Sequence, residues 1–508
     1  MLIGGERRLE AAELARRAGR AASALTALGI GEGDSVATLL RNDFPNFELL
    51  NAAGQIGALV VPINWHSAGP DVGYILEDSG ARVLVAHADL YRPLAGAVPP
   101  GVRVFLVETP AEIAAAYGVS PDEAALPPGA ESWEAFRDAH EARDLPSSAQ
   151  PGGSMMYTSG TTGRPKGVRR IVRSDQERAG LTEMLSTVFG FDDRPMRVAL
   201  TGPMYHSAPG AHAVMALAFG ADIVLQPKFE AEDLLALVER HRITHLHMVP
   251  IMFIRLLKLA EAVRRKYDLS SLRFVTHGAA PCPREAKLAM IDWWGPIIGE
   301  YYGSTETGAV TFCSADEYVA RPGTVGRALK GSTVKVLDET GMEVPRGREG
   351  EVFARNAMVS DFTYHGDADK RAACDRDGLI TAGDIGFMDD DGFLYLSDRK
   401  KDMIISGGVN IYPAQVEAAL AGCPGVRDCA VFGIPDDEFG ESVCAVIQPE
   451  AGAEITAQAV QSYLKGRIAG YTIPRRIEFR DDLPREATGK IFKRRLRDEY
   501  WRALGRAI

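Results

Sequence analysis

Three short apolar runs near the start of the chain constrain its fold more than any other feature. Ser35–Leu40, Leu59–Ile63 and Ala81–Val85 each read as a buried strand. Longer stretches of helical period separate them. Leu14, Ala18, Ala21, Leu25 and Leu28 fall on one helical face, and Gly29, Gly31 and Gly33 end that helix. Phe44–Gly57 reads as a second helix, and Val72–Asp78, capped by Gly80, as a third. Apolar strands that alternate with helices imply a parallel sheet covered on both faces. The opening MLIGGERRLEAAELARR is charged and helical in pattern, unlike a signal peptide.

From about residue 108 to 153 the pattern dissolves into Ala, Pro, Glu and Ser, which reads as a surface connection with one or two short helices. A second alternating run then places strands near Val198–Thr201, Ile223–Leu225, Thr244–Val249 and Arg273–Thr276. Helices Ala211–Phe219, Ala231–His241 and Ile251–Leu259 lie between them. Two such runs predict two α/β layers in one large lobe. Between Gly323 and Leu396 short β-like pieces recur (Ser332–Leu337, Gly350–Ala354, Gly392–Leu396), separated by turns rich in Gly, Asp and Pro. That texture predicts a small all-β unit. The end of the chain is mixed again, with helices Pro413–Leu420 and Ala457–Ile468 and strands Val426–Phe432, Ser442–Ile447 and Arg476–Phe479. It reads as a separate α+β domain of about 110 residues, an ordinary domain size.

A chain of 508 residues exceeds what one core supports, so two or more domains are expected. A net charge of −11 disfavours nucleic acid as the main partner. No apolar run is long enough to span a membrane. The six cysteines form no CxxC pair and the ten histidines show no ligand spacing, which fits reduced thiols in a cytoplasmic protein and no zinc site.

The chemistry-bearing stretch is Met155–Arg170, MMYTSGTTGRPKGVRR. An apolar lead-in is followed by Thr158, Ser159, Gly160, Thr161, Thr162, Gly163 and Lys166. Hydroxyls, a backbone free to curl, and one cation suit a polyphosphate. Lys166 is followed by Gly167, so this is not the GxxxxGK[ST] loop of P-loop kinases. Alone, such a stretch is equally a surface turn. A second block, Tyr301-Tyr302-Gly303-Ser304-Thr305-Glu306-Thr307, follows apolar Ile297-Ile298 and so sits at the end of a strand, where ligands of open α/β sheets bind. Tyr302 can stack on a purine, Thr305 can bond a phosphate, and Glu306 can hold Mg²⁺. Alone, it is also a turn whose tyrosines pack in the core.

Together these blocks resemble the adenylate-forming superfamily: acyl-CoA synthetases, peptide-synthetase adenylation domains and luciferases. The resemblance runs from about residue 10 to 495, and further blocks match in order. His277-Gly278-Ala279-Ala280-Pro281 resembles the strand end beside adenine and the acyl chain, although a core histidine is the plainer reading of His277. Pro203-Met204-Tyr205-His206-Ser207 resembles the block with an acyl-pocket histidine, His206. Thr381-Ala382-Gly383-Asp384 resembles the ribose-binding block, Arg399 a second ribose contact and Lys401 the hinge. Ser406, Gly407 and Gly408 resemble the loop lining the CoA tunnel, and Lys490 the catalytic lysine. The resemblance implies that Tyr301, Tyr302 and Gly303 meet the nucleotide, and that His206, His277, Gly303 and Gly308 border the acyl pocket.

The implied fold is α/β: a large AMP-binding lobe, residues 1–397, of two sheet layers plus a small β-barrel. A hinge at 398–402 and a mobile α+β domain at 403–508 follow. The implied reaction is ATP-dependent ligation of a carboxylic acid to a thiol through acyl-AMP, with Mg²⁺, ATP and coenzyme A. Lys490, Thr305 and His206 are the expected catalytic groups. No aspartate lies between Thr201 and Gly220, which disfavours an amino-acid substrate. No carrier domain follows Lys490, which favours free CoA, and Asn64-Trp65-His66 resembles fatty-acid and aromatic-acid CoA ligases. Loading of a separate carrier protein, a non-catalytic ATP-binding relative and a homodimer are left open.

Overall fold

The computed structural model describes residues 1–143, 152–158, 165–170, 175–399, 402–406, 409–436, 438–465, 467–485 and 491–501. Both alternating runs form parallel sheets. The first has the strand order Arg103–Val107, Val83–His87, Ser35–Leu39, Leu59–Pro62, Gly153–Ser154, parallel throughout. Its side chains alternate between two cores: Val36, Val60, Val83 and Phe105 face one, and Ala37, Val61, Leu84 and Leu106 the other. Two buried faces explain why these strands read as unbroken apolar runs. Helix Ala11–Ala27 buries Leu14, Ala18, Ala21 and Leu25 on the predicted face.

The second sheet has nine strands. Its parallel centre runs Ile298–Ser304, Phe274–His277, His245–Met248, Arg197–Leu200, Asp222–Leu225 and Leu2–Gly4, with antiparallel strands at each end. Val198, Leu200 and Ile223 point into one core, and Leu246, Met248, Val275 and Ile298 into the other. This two-sided burial sets which residues can reach a ligand.

Several expectations are corrected. The N-terminus is not helical from its start: Leu2–Gly4 and Arg7–Leu9 form a hairpin turned at Gly5, whose φ is +57°. Leu2, Ile3 and Gly4 pair in parallel with Ile223, Val224 and Leu225, so tertiary pairing overrides the local charge pattern. The connection after residue 108 holds three short helices, Ala111–Tyr117, Pro121–Ala124 and Trp133–Asp138, the last anchored by fully buried Trp133. The all-β unit is built on a five-stranded antiparallel sheet. Its strand Leu394–Arg399 pairs with Leu379–Met388 on one side and takes an antiparallel bridge from Thr324 to Tyr395 on the other.

The C-terminal unit is a mixed sheet built on the long hairpin Val426–Asp436/Gly440–Pro449, with helices Pro413–Ala421, Ala457–Leu464 and Lys493–Trp501. The strand Leu394–Arg399 runs through the first two residues of the expected hinge; Lys401 lies outside the described residues. Among the described residues, no helix is long and apolar enough to cross a membrane.

Candidate active site

A cleft of about 2710 Å³ collects most of the described candidate residues. That is several times the space a single drug-sized ligand fills. It is lined by the large lobe and by Glu417, Arg427, Asp428 and Arg485 of the C-terminal unit.

The phosphate-loop candidate is flanked by two paired strands. Met156–Thr158 pairs antiparallel with Lys166–Arg170, Thr158 standing opposite Lys166, and Phe362–Tyr364 adds a third strand. Ser159, Gly160, Thr161, Thr162 and Gly163 lie outside the described residues. Lys166 enters the cleft and forms an ion pair with Asp367. Asp367 also caps helix Ala368–Ala373 by accepting from the Lys370 amide at 3.0 Å. The hydrogen bond from Lys166 holds the Asp367 carboxyl below its usual range. A triphosphate competing for Lys166 would therefore have to displace a carboxylate.

The block Ser304–Gly308 is a tight turn tied by hydroxyls. The Thr307 hydroxyl accepts from the Ser304 amide at 3.0 Å, and the Ser304 hydroxyl accepts from the Glu306 amide at 3.2 Å. Gly308 has φ +68°, and a Cβ on Gly303 would stand 2.0 Å from the Gly308 carbonyl oxygen, so the turn closes only with both glycines. Arg170 locks it from below, donating to the carbonyls of Thr305, Glu306 (3.2 Å) and Ser360 (2.7 Å). The Glu306 carboxylate accepts from the Tyr364 hydroxyl at 2.8 Å, and Thr305 Oγ1 lies 3.2 Å from Ser207 Oγ. Burial, and then the neighbouring Glu306, push the Tyr364 hydroxyl pKa up, so it remains a donor.

Tyr302 and Asp384 meet in the cleft, the tyrosine hydroxyl donating to Asp384 Oδ2 at 2.7 Å. Asp384 is 8 % exposed and stands opposite Arg399 in the ladder between Leu379–Met388 and Leu394–Arg399. Gly383, at φ +78°, turns the backbone just before it, and its amide donates to Thr381 Oγ1 at 2.9 Å. The side chain of Arg399 lies outside the described residues.

Ala279 and Ala280 line the cleft, and Ala279 holds the left-handed conformation at φ +69°, strained for a residue with a Cβ. Gly278 serves packing: a Cβ there would meet the Tyr301 ring at 2.8 Å. Tyr301 turns away from Tyr302 and places its hydroxyl 3.0 Å from His247 Nε2. His277 does not line the cleft. It lies two residues after Val275 on the same sheet face, fully buried against Phe253 with ring centroids 5.1 Å apart. The strand period of two fixes that direction, so the core reading of His277 is the one the geometry carries. His206 precedes helix Ser207–Ala218 and borders the cleft beside Tyr205, with Gly303 and Gly308 on the same wall.

Ser406 ends the strand Ile404–Ser406, while Gly407, Gly408 and Lys490 lie outside the described residues. Arg485 and Ile491, which flank the segment of Lys490, pair across an antiparallel bridge, and both line the cleft. Arg485 is held by Asp428 at 2.6 Å and by the Gln448 side-chain oxygen at 3.0 Å. Among the described residues no three His, Cys, Asp or Glu side chains converge to hold a metal by themselves. Sequence reading missed Arg170, Ser207, Tyr364, Asp367 and His247. Arg170 closes the glycine-rich stretch and Ser207 closes the block of His206, so both could have been noticed; the others have no local signature.

The strand pair that carries Lys166, a glycine-bound turn and an Asp–Tyr pair around one cleft match what an adenylate-forming enzyme needs. The comparisons agree. A family model described as "AMP-binding enzyme" matches residues 1–361, and one described as "AMP-binding enzyme C-terminal domain" matches residues 415–490. The chain is 35% identical to a feruloyl-CoA synthase of Amycolatopsis sp, covering 96% of this chain and 93% of that protein. It is 33% identical to the long-chain-fatty-acid–CoA ligase FadD13 of Mycobacterium tuberculosis, covering 97% and 93%. The crystal structure of ATP-bound MatB from Rhodopseudomonas palustris superposes with a TM-score of 0.83 at 29% identity, covering 98% of this chain and 95% of that one. The chain belongs to the AMP-binding, adenylate-forming enzyme family.

Proposed function

We propose that this chain is an AMP-forming acid–CoA ligase acting on a fatty or aromatic acid. In the first step a carboxylate oxygen attacks the α-phosphorus of ATP, and the bond to pyrophosphate breaks. In the second, the CoA sulfur attacks the acyl carbon, and AMP leaves. The observation that carries this reading is the meeting of Tyr302, Asp384, Thr305, Glu306 and Lys166 in one cleft that the C-terminal unit also lines. Bringing two anions together calls for positioning and charge stabilisation.

Each residue then has a task. Asp384 accepts from the ribose hydroxyls and Tyr302 flanks the base. Thr305, with Ser207 behind it, donates to the α-phosphate. Lys166 exchanges Asp367 for the terminal phosphates. The Glu306 carboxylate, a hard oxygen donor at the phosphate end, would hold Mg²⁺, whose charge would offset that of the departing pyrophosphate. His206 walls the acyl pocket. Lys490, carried by the segment between Arg485 and Ile491, neutralises the carboxylate and the α-phosphate. In this reading residues 1–397 bind nucleotide and acid, residues 403–508 swing about Lys401, and the turn at Ser406–Gly408 then meets the thiol.

Pyrophosphate release with CoA across a panel of carboxylic acids tests the proposal. CoA-dependent turnover is expected; turnover with a carrier protein in place of CoA would move the chain to the carrier-loading class. ATP binding with no acid turned over would leave the regulatory reading. Asp384→Asn is expected to raise KM for ATP about tenfold or more, the cost of weakening a charge-assisted hydrogen bond. An unchanged KM would remove Asp384 from the ribose site.

A further inference from the structure

One part of the cleft is more polar than a hydrocarbon pocket requires. The strand His245–Met248 turns Leu246 and Met248 into the core and His247 to the opposite face, where it lines the cleft at 3 % exposure. Tyr301 lies across Gly278, so its hydroxyl passes over the strand Phe274–His277 to reach His247 Nε2 at 3.0 Å. The surrounding wall is apolar: Leu181, Met184, Leu185 and Val188 of helix Asp175–Phe189 face the same cleft. With Nε2 accepting the tyrosine proton, Nδ1–H is the donor left to the ring. No hydrogen bond engages it among the described residues. Nearby, fully buried His212 lies 5.7 Å from His247 between ring centroids, and neither of its nitrogens has a partner among the described residues. A leucine at position 247 would serve an alkyl chain without bringing a ring N–H to the cleft.

Resting on the acid–CoA ligase reading, we propose that His247 and Tyr301 form a polar end of the acyl pocket. It selects acids whose apolar body carries a neutral hydrogen-bonding oxygen, a hydroxyl or carbonyl, over the unsubstituted acid. The charge state fixes the class. Burial holds the His247 pKa down at about 4, so the ring is neutral at working pH and offers no charge to a second carboxylate. A site that bonds a substrate hydroxyl also rejects the analogue lacking it, because the bound apolar body shuts water away from the site's donor and leaves it unpaired.

The test is pyrophosphate release with CoA for matched acids: 3-phenylpropanoate against its 4-hydroxy derivative, and alkanoates against their terminally hydroxylated forms. In at least one pair the wild-type chain is expected to favour the oxygenated acid by about tenfold or more in kcat/KM. His247→Leu is expected to bring that ratio toward one or below. Tyr301→Phe, which keeps the ring across Gly278 and removes only the hydroxyl, is expected to lower it as well. A ratio within one preparation is insensitive to a partial loss of folded protein. Turnover with no preference in any pair, or a preference that survives His247→Leu, overturns this inference alone. Absence of turnover with every acid overturns the ligase reading and this inference with it.

Discussion

Lys490→Ala is expected to slow acyl-adenylate formation by about 10²–10³, while thioester formation from supplied acyl-AMP and CoA persists. The separation follows from what each step needs. Adenylation places a carboxylate against a phosphate, and only a cation arriving with the acid relieves that repulsion. Thioester formation starts from a neutral acyl carbon joined to a good leaving group, so a lysine at the α-phosphate has less to do. Arg485 and Ile491, on either side of Lys490 in the chain, both line the cleft and pair across a bridge. Arg485 is itself pinned by Asp428 and Gln448. Two assays on one preparation check this: isotope exchange between pyrophosphate and ATP for the first step, and CoA consumption with synthetic acyl-AMP for the second. Equal loss in both would overturn the division of labour. Lys401→Pro, which stiffens the expected hinge, should show the converse pattern, with exchange retained and overall turnover lost.

How much was legible from the sequence depended on how local each feature is. The buried parallel strands announced themselves because two-sided burial makes nearly every residue apolar, as in Val83, Leu84, Val85 and Ala86. The Tyr302 and Asp384 blocks were each readable, and the structure joins them across 82 positions. The partners were not readable. Lys166 and Asp367 are 201 positions apart, and Tyr364 reaches Glu306 across 58. Nothing in Tyr364 or Asp367 by itself separates a surface residue from one that holds a catalytic group. The same holds for His247, whose importance appears only once Tyr301 is seen lying across Gly278. The N-terminal hairpin escaped for a related reason. A three-residue strand carries no measurable period, and the parallel partner that fixes it lies more than two hundred residues away.

Removing the cation buried beneath the site strand should have the largest effect on stability. Lys287→Met is expected to cost about 3–5 kcal/mol at neutral pH, the penalty of a buried carboxylate left without its partner. Lys287 Nζ lies 2.5 Å from Glu300 Oε2, the two side chains being 0 % and 6 % exposed, and 3.7 Å from the centre of the Tyr318 ring. Glu300 sits in the strand Ile298–Ser304 immediately before Tyr301 and Tyr302, so its burial supports the platform of the cleft. Desolvation already raises the Glu300 pKa, and Lys287 opposes that rise. His277 cannot substitute. Its Nε2 is 3.8 Å from Glu300, but full burial keeps the ring neutral. In the variant the Glu300 pKa therefore climbs further above its unfolded value, about 4.3 for a free glutamate. A carboxyl whose folded pKa is raised contributes stability below the unfolded value and loses it as pH rises through the folded one. The deficit against wild type should thus be small near pH 4 and widen toward pH 8, read by urea unfolding of the large lobe across that range. Adding Glu300→Gln removes the titrating charge, so the double variant should recover much of the loss at pH 8 and show a flatter pH dependence. A single variant that loses less than about 1 kcal/mol at pH 8 would mean that water reaches Glu300, and that the strand beneath the nucleotide site is held by packing alone.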